Sequence, residues 1–223
     1  MVSNKERVRK QLKVQEDKME YELRLEDVTK IYEGQTIVEN MSLTVKKGTV
    51  IGIVGSTYEK ASVFMQLLAG EITPCHGEIY YKDENLRMYG QVPGHVGVYI
   101  SDIGFLTEYT GFKNLKYIAG MNEKAGEEDI QRAMEFVGLS PTNNRKVSRY
   151  SQRMRQKLSI AQAVMEGQKM LLIDAGVFTT ENQGNHAEIR RILAKLKKLG
   201  YTIGIASEKE EYIERICDQI IHI

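Results

Sequence analysis

Residues 49–69, TVIGIVGSTYEKASVFMQLLA, contain a continuous apolar run, a glycine, a short polar stretch and a second apolar run. The first run, Thr49 to Gly55, is typical of a strand buried on both faces of a parallel sheet. The second run, Ala61 to Ala69, indicates a helix. Backbone N–H groups and a helix N-terminus can surround a phosphate at such a junction. The stretch therefore predicts a strand, a phosphate loop and a helix.

Further apolar runs extend this unit into an α/β domain. Met170 to Asp174 and Thr202 to Ser207 predict two more buried strands. Ala187 to Leu199, between them, is spaced like the crossover helix of a parallel sheet. The sequence therefore predicts a parallel sheet flanked by helices.

Two other layers are predicted around this sheet. Glu127 to Val137 and Arg153 to Met165 have apolar residues at helical spacing, within a helical subdomain expected at about 113–165. Short runs of β-type residues separated by turns indicate an antiparallel layer. These runs are Tyr21 to Leu25, Ile37 to Val45 and Gly77 to Tyr81.

Composition limits the kinds of protein that this chain can be. Its 223 residues are 42% hydrophobic, which suits one compact domain at 21–223. Its formal charge is only +1, so the protein has no strong electrostatic field that would attract nucleic acid. Residues 1–20 are highly charged and predict either a solvated extension or a short docking helix. No apolar run approaches the roughly 20 residues that span a bilayer. We therefore expect a cytoplasmic protein, with Cys75 and Cys217 reduced.

The phosphate loop departs from the ATP-binding pattern G-x-x-x-x-G-K-S/T. It reads Gly55-Ser56-Thr57-Tyr58-Glu59-Lys60-Ala61-Ser62, followed by Val63. Lys60 stands at the second glycine position and Ala61 at the lysine position, while Tyr58 and Glu59 add bulk and negative charge. Tight ATP binding is therefore not expected, although a shift of the loop would aim Lys60 at a phosphate.

Other segments follow this loop in a recognisable order. Asp27 to Tyr32 (DVTKIY) ends in an aromatic residue, Val96 to Ser101 (VGVYIS) leads into Gly104-Phe105-Leu106, and Tyr150 to Gln156 (YSQRMRQ) begins a helix. Over roughly residues 21–223, this order and spacing resemble those of the ATP-binding subunits of ABC transporters. Within that family the sequence is most similar to bacterial importer-like subunits or to the subunits that export bacteriocins and peptide antibiotics.

The resemblance implies a role for each matching position. Tyr32 would stack on adenine, unless it is an ordinary strand tyrosine, and the 55–63 loop would hold the phosphates of ATP. Ser62, Ser101 and Asp174 would surround Mg²⁺, with Ser101 where glutamine or glutamate is usual. Ser151, Gln152 and Arg153 correspond to the signature motif, in which Gln152 and Arg153 replace two glycines that let the backbone approach ATP.

The resemblance also implies that catalytic groups are missing. Ala175 occupies the position of the general base, and loss of such a base typically costs about 10²- to 10⁴-fold in rate. Glu208 occupies the position of the switch histidine, and Gly176 to Glu181 departs from the loop that connects two sites. We therefore predict no catalytic residue at these positions.

Three functions remain open at this stage. The first is a weakly or non-hydrolysing subunit, with ATP and Mg²⁺ as its only expected cofactors. It would lie at the inner face of a bacterial membrane and pair with a permease, or form a homodimer or a heterodimer with another ATPase subunit. The second is a slow transport ATPase that uses Lys60, Ser62 and Asp174. The third is a scaffold or regulatory protein outside transport.

Overall fold

The computed structural model describes residues 21–82, 84–86, 96–99, 104–178 and 183–223. The strands are β1 (Tyr21–Tyr32), β2 (Gln35–Lys46), β3 (Val50–Val54), β4 (His76–Tyr81), β5 (Glu84–Asn85), β6 (Val96–Tyr99), β7 (Met170–Ile173), β8 (Thr202–Ser207) and β9 (Gln219–His222). The helices are α1 (Tyr58–Leu68), α2 (Gly111–Asn122), α3 (Glu127–Phe136), α4 (Gln152–Val164) and α5 (Gln183–Lys198). The charged extension predicted at 1–20 lies outside the described residues.

A five-stranded parallel sheet forms the centre of the fold. Its strand order is β6-β7-β8-β3-β9, so β3 lies between β8 and β9. All of β3 is buried, and its side chains alternate between the two faces. Val50 and Val54 join the core beneath α2–α5, whereas Ile51 and Ile53 join the core around α1. The predicted α/β architecture is therefore confirmed.

The antiparallel layer has the strand order β2-β1-β4-β5. The prediction that β1 ends at Leu25 is wrong, because the strand continues to Tyr32. Its pairing with β2 shifts register between Leu25 and Val28, where Asp27 has a φ of 48°. Gly77 of β4 crosses this irregularity so closely that a Cβ atom would collide with the Asp27 carbonyl. The irregularity hides the strand from a simple alternation pattern.

The helices lie near their predicted positions but differ at their ends. Helix α5 begins at Gln183, four positions before the predicted Ala187, and α1 begins at Tyr58 rather than Ala61. Helix α1 buries Phe64, Leu67 and Leu68 between the two sheets. None of the helices in the described part of the chain is both long and apolar enough to cross a bilayer.

Candidate nucleotide site

The early start of α1 changes the predicted phosphate loop. Thr57 is the N-cap, and its Oγ1 accepts a hydrogen bond from the Lys60 N–H at 3.2 Å. The Thr57 carbonyl accepts from the Ala61 N–H at 3.2 Å. Glu59 lies in the first turn, where a carboxylate is favoured by the helix dipole. Residues that would form a phosphate loop therefore form the first turn of a capped helix.

The sequence explains this winding. Tyr58, Glu59 and Lys60 have no need of positive φ, and residues 55–62, all described, contain no positive φ angle. Threonine is a favoured N-cap residue because its side chain satisfies an otherwise unpaired N–H. Replacing the loop glycines by these residues therefore favours helix over an open anion cradle.

The start of the loop is also closed by backbone hydrogen bonds. The Gly55 N–H donates to the Ser207 carbonyl at 3.3 Å, and the Ser56 N–H donates to the Ile223 carbonyl at 2.9 Å. A Cβ atom on Gly55 would lie 2.6 Å from the Thr57 carbonyl oxygen, so the chain turns tightly here. These N–H groups therefore already have acceptors within the protein.

Ser62 and Asp174, two of the three predicted magnesium ligands, lie together. The Ser62 hydroxyl donates to Asp174 Oδ1 at 2.6 Å. Asp174 Oδ2 accepts from the Tyr58 hydroxyl at 3.5 Å and from the Gly176 N–H at 3.4 Å. Asp174 is 8% exposed, so this carboxylate faces partners inside the protein. The third predicted ligand, Ser101, lies outside the described residues.

A small cavity of about 50 Å³ adjoins this pair, lined in part by Gln66 and Glu71. Partial burial, and then the negative charge of Asp174, raise the pKa of Glu71 above its ordinary value of 4.5. The sequence did not identify Glu71 as a site residue, because it belongs to no motif. Its position just after α1 was the only available signal.

A larger cleft of about 400 Å³ lies between β1, β2 and α1. It brings Tyr32, predicted to stack on adenine, to the same cleft as Tyr58, Glu59 and Lys60. Tyr32 is 36% exposed, which leaves part of its ring open to a ligand. The sequence did not predict the other lining residues, which are Glu33, Gln35, Ile37, Ser62, Val63 and Gln66.

Ala175 and Glu208 occupy the positions that the resemblance assigns to the general base and the switch histidine. Ala175 is fully buried immediately after Asp174 and begins a short 3₁₀ turn. Glu208 follows β8, and the neighbouring Ser207 hydroxyl donates to the Lys209 carbonyl at 2.9 Å. Of the predicted departure at Gly176 to Glu181, residues 179–181 lie outside the described part of the chain.

The signature segment contacts its own chain. The Ser151 hydroxyl is the N-cap of α4 and accepts from the Met154 N–H at 3.2 Å. Arg153 Nε lies 3.1 Å from Glu188 Oε2 and 3.2 Å from Asn185 Oδ1, both on α5. Arg153 is thus directed along α5, while Gln152 is exposed. The predicted contacts of these three residues with a nucleotide remain a prediction.

The described residues fit Mg²⁺ better than they fit a triphosphate. Hydroxyl and carboxylate oxygens such as those of Ser62 and Asp174 are ligands that magnesium accepts. A triphosphate requires several N–H donors and a lysine, but the N–H groups of Gly55, Ser56 and Lys60 have acceptors within the chain. With Ala61 at the lysine position and these three donors already used, the loop is less suited to the triphosphate of ATP than to Mg²⁺.

Three features together define the class of P-loop nucleotide-binding proteins. They are a parallel sheet, a helix directly after β3, and a serine–aspartate pair between α1 and β7. The family model described as ABC transporter matches residues 38–176. The chain belongs to the ABC transporter family, among its ATP-binding subunits.

The relatives support the same assignment. The ABC transporter ATP-binding protein YybJ of Bacillus subtilis (strain 168) is 35% identical over 192 residues, covering 86% of this chain and 88% of that protein. The bacitracin transport ATP-binding protein BcrA of Enterococcus faecalis is 31% identical over 208 residues, covering 91% of this chain and 66% of that protein. This chain therefore spans most of YybJ and just under two thirds of BcrA.

Solved structures agree at the level of the fold. A nucleotide-free ATP-binding cassette of an ABC transporter has a TM-score of 0.76 and 21% identity, covering 92% of this chain and 88% of that chain. A dimeric bacterial ABC transporter cassette has a TM-score of 0.74 and 17% identity, covering 90% of this chain and 94% of that chain.

Proposed function

We propose that this chain is a non-hydrolysing or very weakly hydrolysing subunit of an ABC transporter that acts through protein partners. The observation that carries the proposal is the first turn of α1, where Thr57 caps the helix and Ala61 replaces the phosphate-binding lysine. Ala175 then leaves no carboxylate at the position where the family has its general base. These changes affect separate steps, binding and hydrolysis, so their effects on turnover combine.

Phosphate release by the purified chain in Mg²⁺ and ATP tests the absence of turnover. The matched control is Asp174→Asn, which removes the negative charge that contacts Ser62 while preserving the shape of the side chain. We expect the wild-type chain and this variant to release phosphate at the same background rate. Release by the wild-type chain well above that of the variant would overturn the proposal.

A slow transport ATPase is the second candidate, and one contact favours it. The Ser62 hydroxyl and Asp174 Oδ1 lie 2.6 Å apart, which brings together two oxygens of the kind that magnesium accepts as ligands. Lys60 would then have to supply the charge that Ala61 lacks. If this function is correct, Lys60→Ala abolishes a measurable turnover, whereas unchanged turnover rejects it. Equal rates of phosphate release by the wild-type chain and by Asp174→Asn would also reject this function.

We further propose a membrane permease subunit as the partner, which would place the chain at the inner face of the membrane. Large apolar side chains are exposed on α2, where Tyr117 is 63% and Met121 is 65% exposed. Exposed apolar groups close together are typical of interaction surfaces. We expect Tyr117→Lys with Met121→Lys to reduce recovery of the chain in the membrane fraction of cells that express the whole transporter.

Leu199, at the end of α5, supplies a matched control because it is 58% exposed. Leu199→Lys should leave membrane recovery unchanged. Equal loss in both variants would show that apolar exposure alone, rather than α2, controls recovery. No loss in either would favour a scaffold or regulatory protein outside transport. A homodimer or a heterodimer with a competent ATPase subunit is a further proposed assembly, supported by the dimeric cassette with the same fold.

The proposed transported compounds are peptide antibiotics. The similarity to the bacitracin transport protein BcrA supports this class. Deletion of the chain from its host should then lower resistance to bacitracin, and expression of the chain with its permease should restore that resistance. Unchanged resistance to bacitracin and to other peptide antibiotics would reject this class.

A further inference from the structure

We propose that the cleft between Tyr32 and Tyr58 selects a nucleoside, or a similar planar heteroaromatic ligand without a polyphosphate chain, over ATP. The cleft measures about 400 Å³, which lies within the range of small-molecule sites. It is formed by described residues of β1, β2 and α1. This inference rests on the proposed function in one respect, namely that the site does not turn ATP over.

The shape of the cleft favours a planar ligand. Tyr32 and Tyr58 both line it, and aromatic side chains in such sites stack on the faces of heteroaromatic rings. Ile37 and Val63 add apolar surface beside the two tyrosines. The cleft therefore offers aromatic and apolar surface to a flat ring system.

Polar groups around the cleft suit the edges of a base and the hydroxyls of a sugar. Gln35 and Gln66 each offer an amide that can both donate and accept. Glu33 and Glu59 offer carboxylates, which accept hydrogen bonds from hydroxyl or amino groups. Specificity in small-molecule sites comes from a few such groups placed around an apolar surface.

The charge of the cleft opposes a triphosphate. Two carboxylates, Glu33 and Glu59, face one ammonium, Lys60, so the lining has a net negative charge. Like charges brought together weaken binding and contribute to the rejection of wrong ligands. Glu59 also lies in the first turn of α1, where it offsets the positive end of the helix dipole.

Three backbone N–H groups at the cleft already donate to acceptors within the chain. The Lys60 N–H donates to Thr57 Oγ1, and the Ala61 N–H donates to the Thr57 carbonyl. The Ser56 N–H donates to the Ile223 carbonyl. A phosphate would have to displace these hydrogen bonds, whereas a nucleoside would leave them in place.

Calorimetric titration of the full chain with adenosine, AMP and ATP at low ionic strength tests the inference. Guanosine, cytidine and uridine are titrated in parallel, because the identity of the base is left open. We expect at least one nucleoside to bind about tenfold or more tightly than its triphosphate, with the monophosphate between them. Binding of a triphosphate as tightly as its nucleoside, or no binding of any nucleoside, would overturn the inference.

Four variants test this argument, and the last of them is a control outside the cleft. Tyr32→Ala should weaken nucleoside binding about fivefold or more, while Tyr32→Phe should retain it, because stacking needs only the ring. Glu59→Gln should increase the affinity for ATP, relative to the affinity for the nucleoside, about twofold to fivefold. Glu214→Gln, at an exposed position outside the cleft, should change neither. An equal effect of Glu59→Gln on nucleoside and ATP would contradict the charge argument.

Phosphate release is measured in the same samples, so that two failures can be told apart. If ATP binds more tightly than any nucleoside and no phosphate is released, the ligand inference fails while the proposed function stands. If phosphate is released at a rate above the Asp174→Asn background, the proposed function fails as well.

Discussion

Restoring an open phosphate loop should increase ATP affinity while lowering stability. The perturbation is Tyr58→Gly with Lys60→Gly and Ala61→Lys in one chain. Both glycines lie in the first turn of α1, where each costs up to about 1 kcal/mol of helix stability. For a chain of this size, about 2 kcal/mol corresponds to a fall in Tm of about 4–8 °C. The same two glycines permit an open loop, because they remove the side chains that favour helix.

The gain in affinity comes from the lysine. A hydrogen bond to a charged group contributes about 1.5–3 kcal/mol, which is about 10- to 150-fold in the affinity for ATP. Removing the Tyr58 ring also removes the hydroxyl that lies 3.5 Å from Asp174 Oδ2. Calorimetry with ATP and Mg²⁺ measures the affinity, and thermal unfolding followed by circular dichroism measures the Tm.

Ala61→Lys alone is the control. Ala61 is fully buried, so a lysine there, with the first turn intact, should lower the Tm without increasing ATP affinity. If this single variant gains as much affinity as the triple variant, the capped first turn is not what excludes the triphosphate. A triple variant that loses stability as expected but gains no affinity would refute the reasoning equally.

Three further changes have expected outcomes. Thr57→Ala should lower the free energy of unfolding by about 1 kcal/mol through loss of the N-cap, which corresponds to a fall in Tm of about 2–4 °C. Thr57→Ser should restore the Tm in the same thermal unfolding measurement. Glu71→Gln should raise the Tm by at most about 2 °C at pH 7 and leave it unchanged at pH 3. Partial burial, and then the charge of Asp174, raise the pKa of Glu71 and disfavour only its charged form. An increase at pH 3 would contradict this. Gly97→Ala should lower the free energy of unfolding by about 3 kcal/mol or more, because the added Cβ would collide with the Ala163 carbonyl. A denaturant midpoint equal to that of the wild-type chain would refute this packing.

The sequence predicted the parallel sheet because its strands are buried on both faces and read as continuous apolar runs. It did not predict the full length of β1, since Glu26, Asp27 and Lys30 interrupt the alternation where the register shifts. The start of α1 was missed for another reason. The phosphate-loop spacing predicts an open stretch up to Lys60, whereas Thr57 caps a helix that already begins at Tyr58.

The candidate site was predictable only in part. The pairing of Ser62 with Asp174 follows from the family resemblance, and the structure places these residues in contact. Glu71 and Gln66 could not be predicted, because they reach the site through the packing of α1 and belong to no motif. The direction of Arg153 towards α5 depends on the side chains of a distant helix, which no spacing along the chain reveals.

Glu188 has a mechanical consequence. It lies 3.1 Å from Arg153 and 2.5 Å from Lys157, both of α4, so one carboxylate on α5 fastens two successive turns of the neighbouring helix. Sliding or rotation of α4 relative to α5 must break both contacts at once. The Lys157 side chain is only 12% exposed, so dissolved salt screens its ion pair with Glu188 less than it screens an exposed pair. Helices α4 and α5 should therefore show similar amide hydrogen-exchange protection. If a partner displaces α4, α5 should then move together with it, even when no nucleotide is bound.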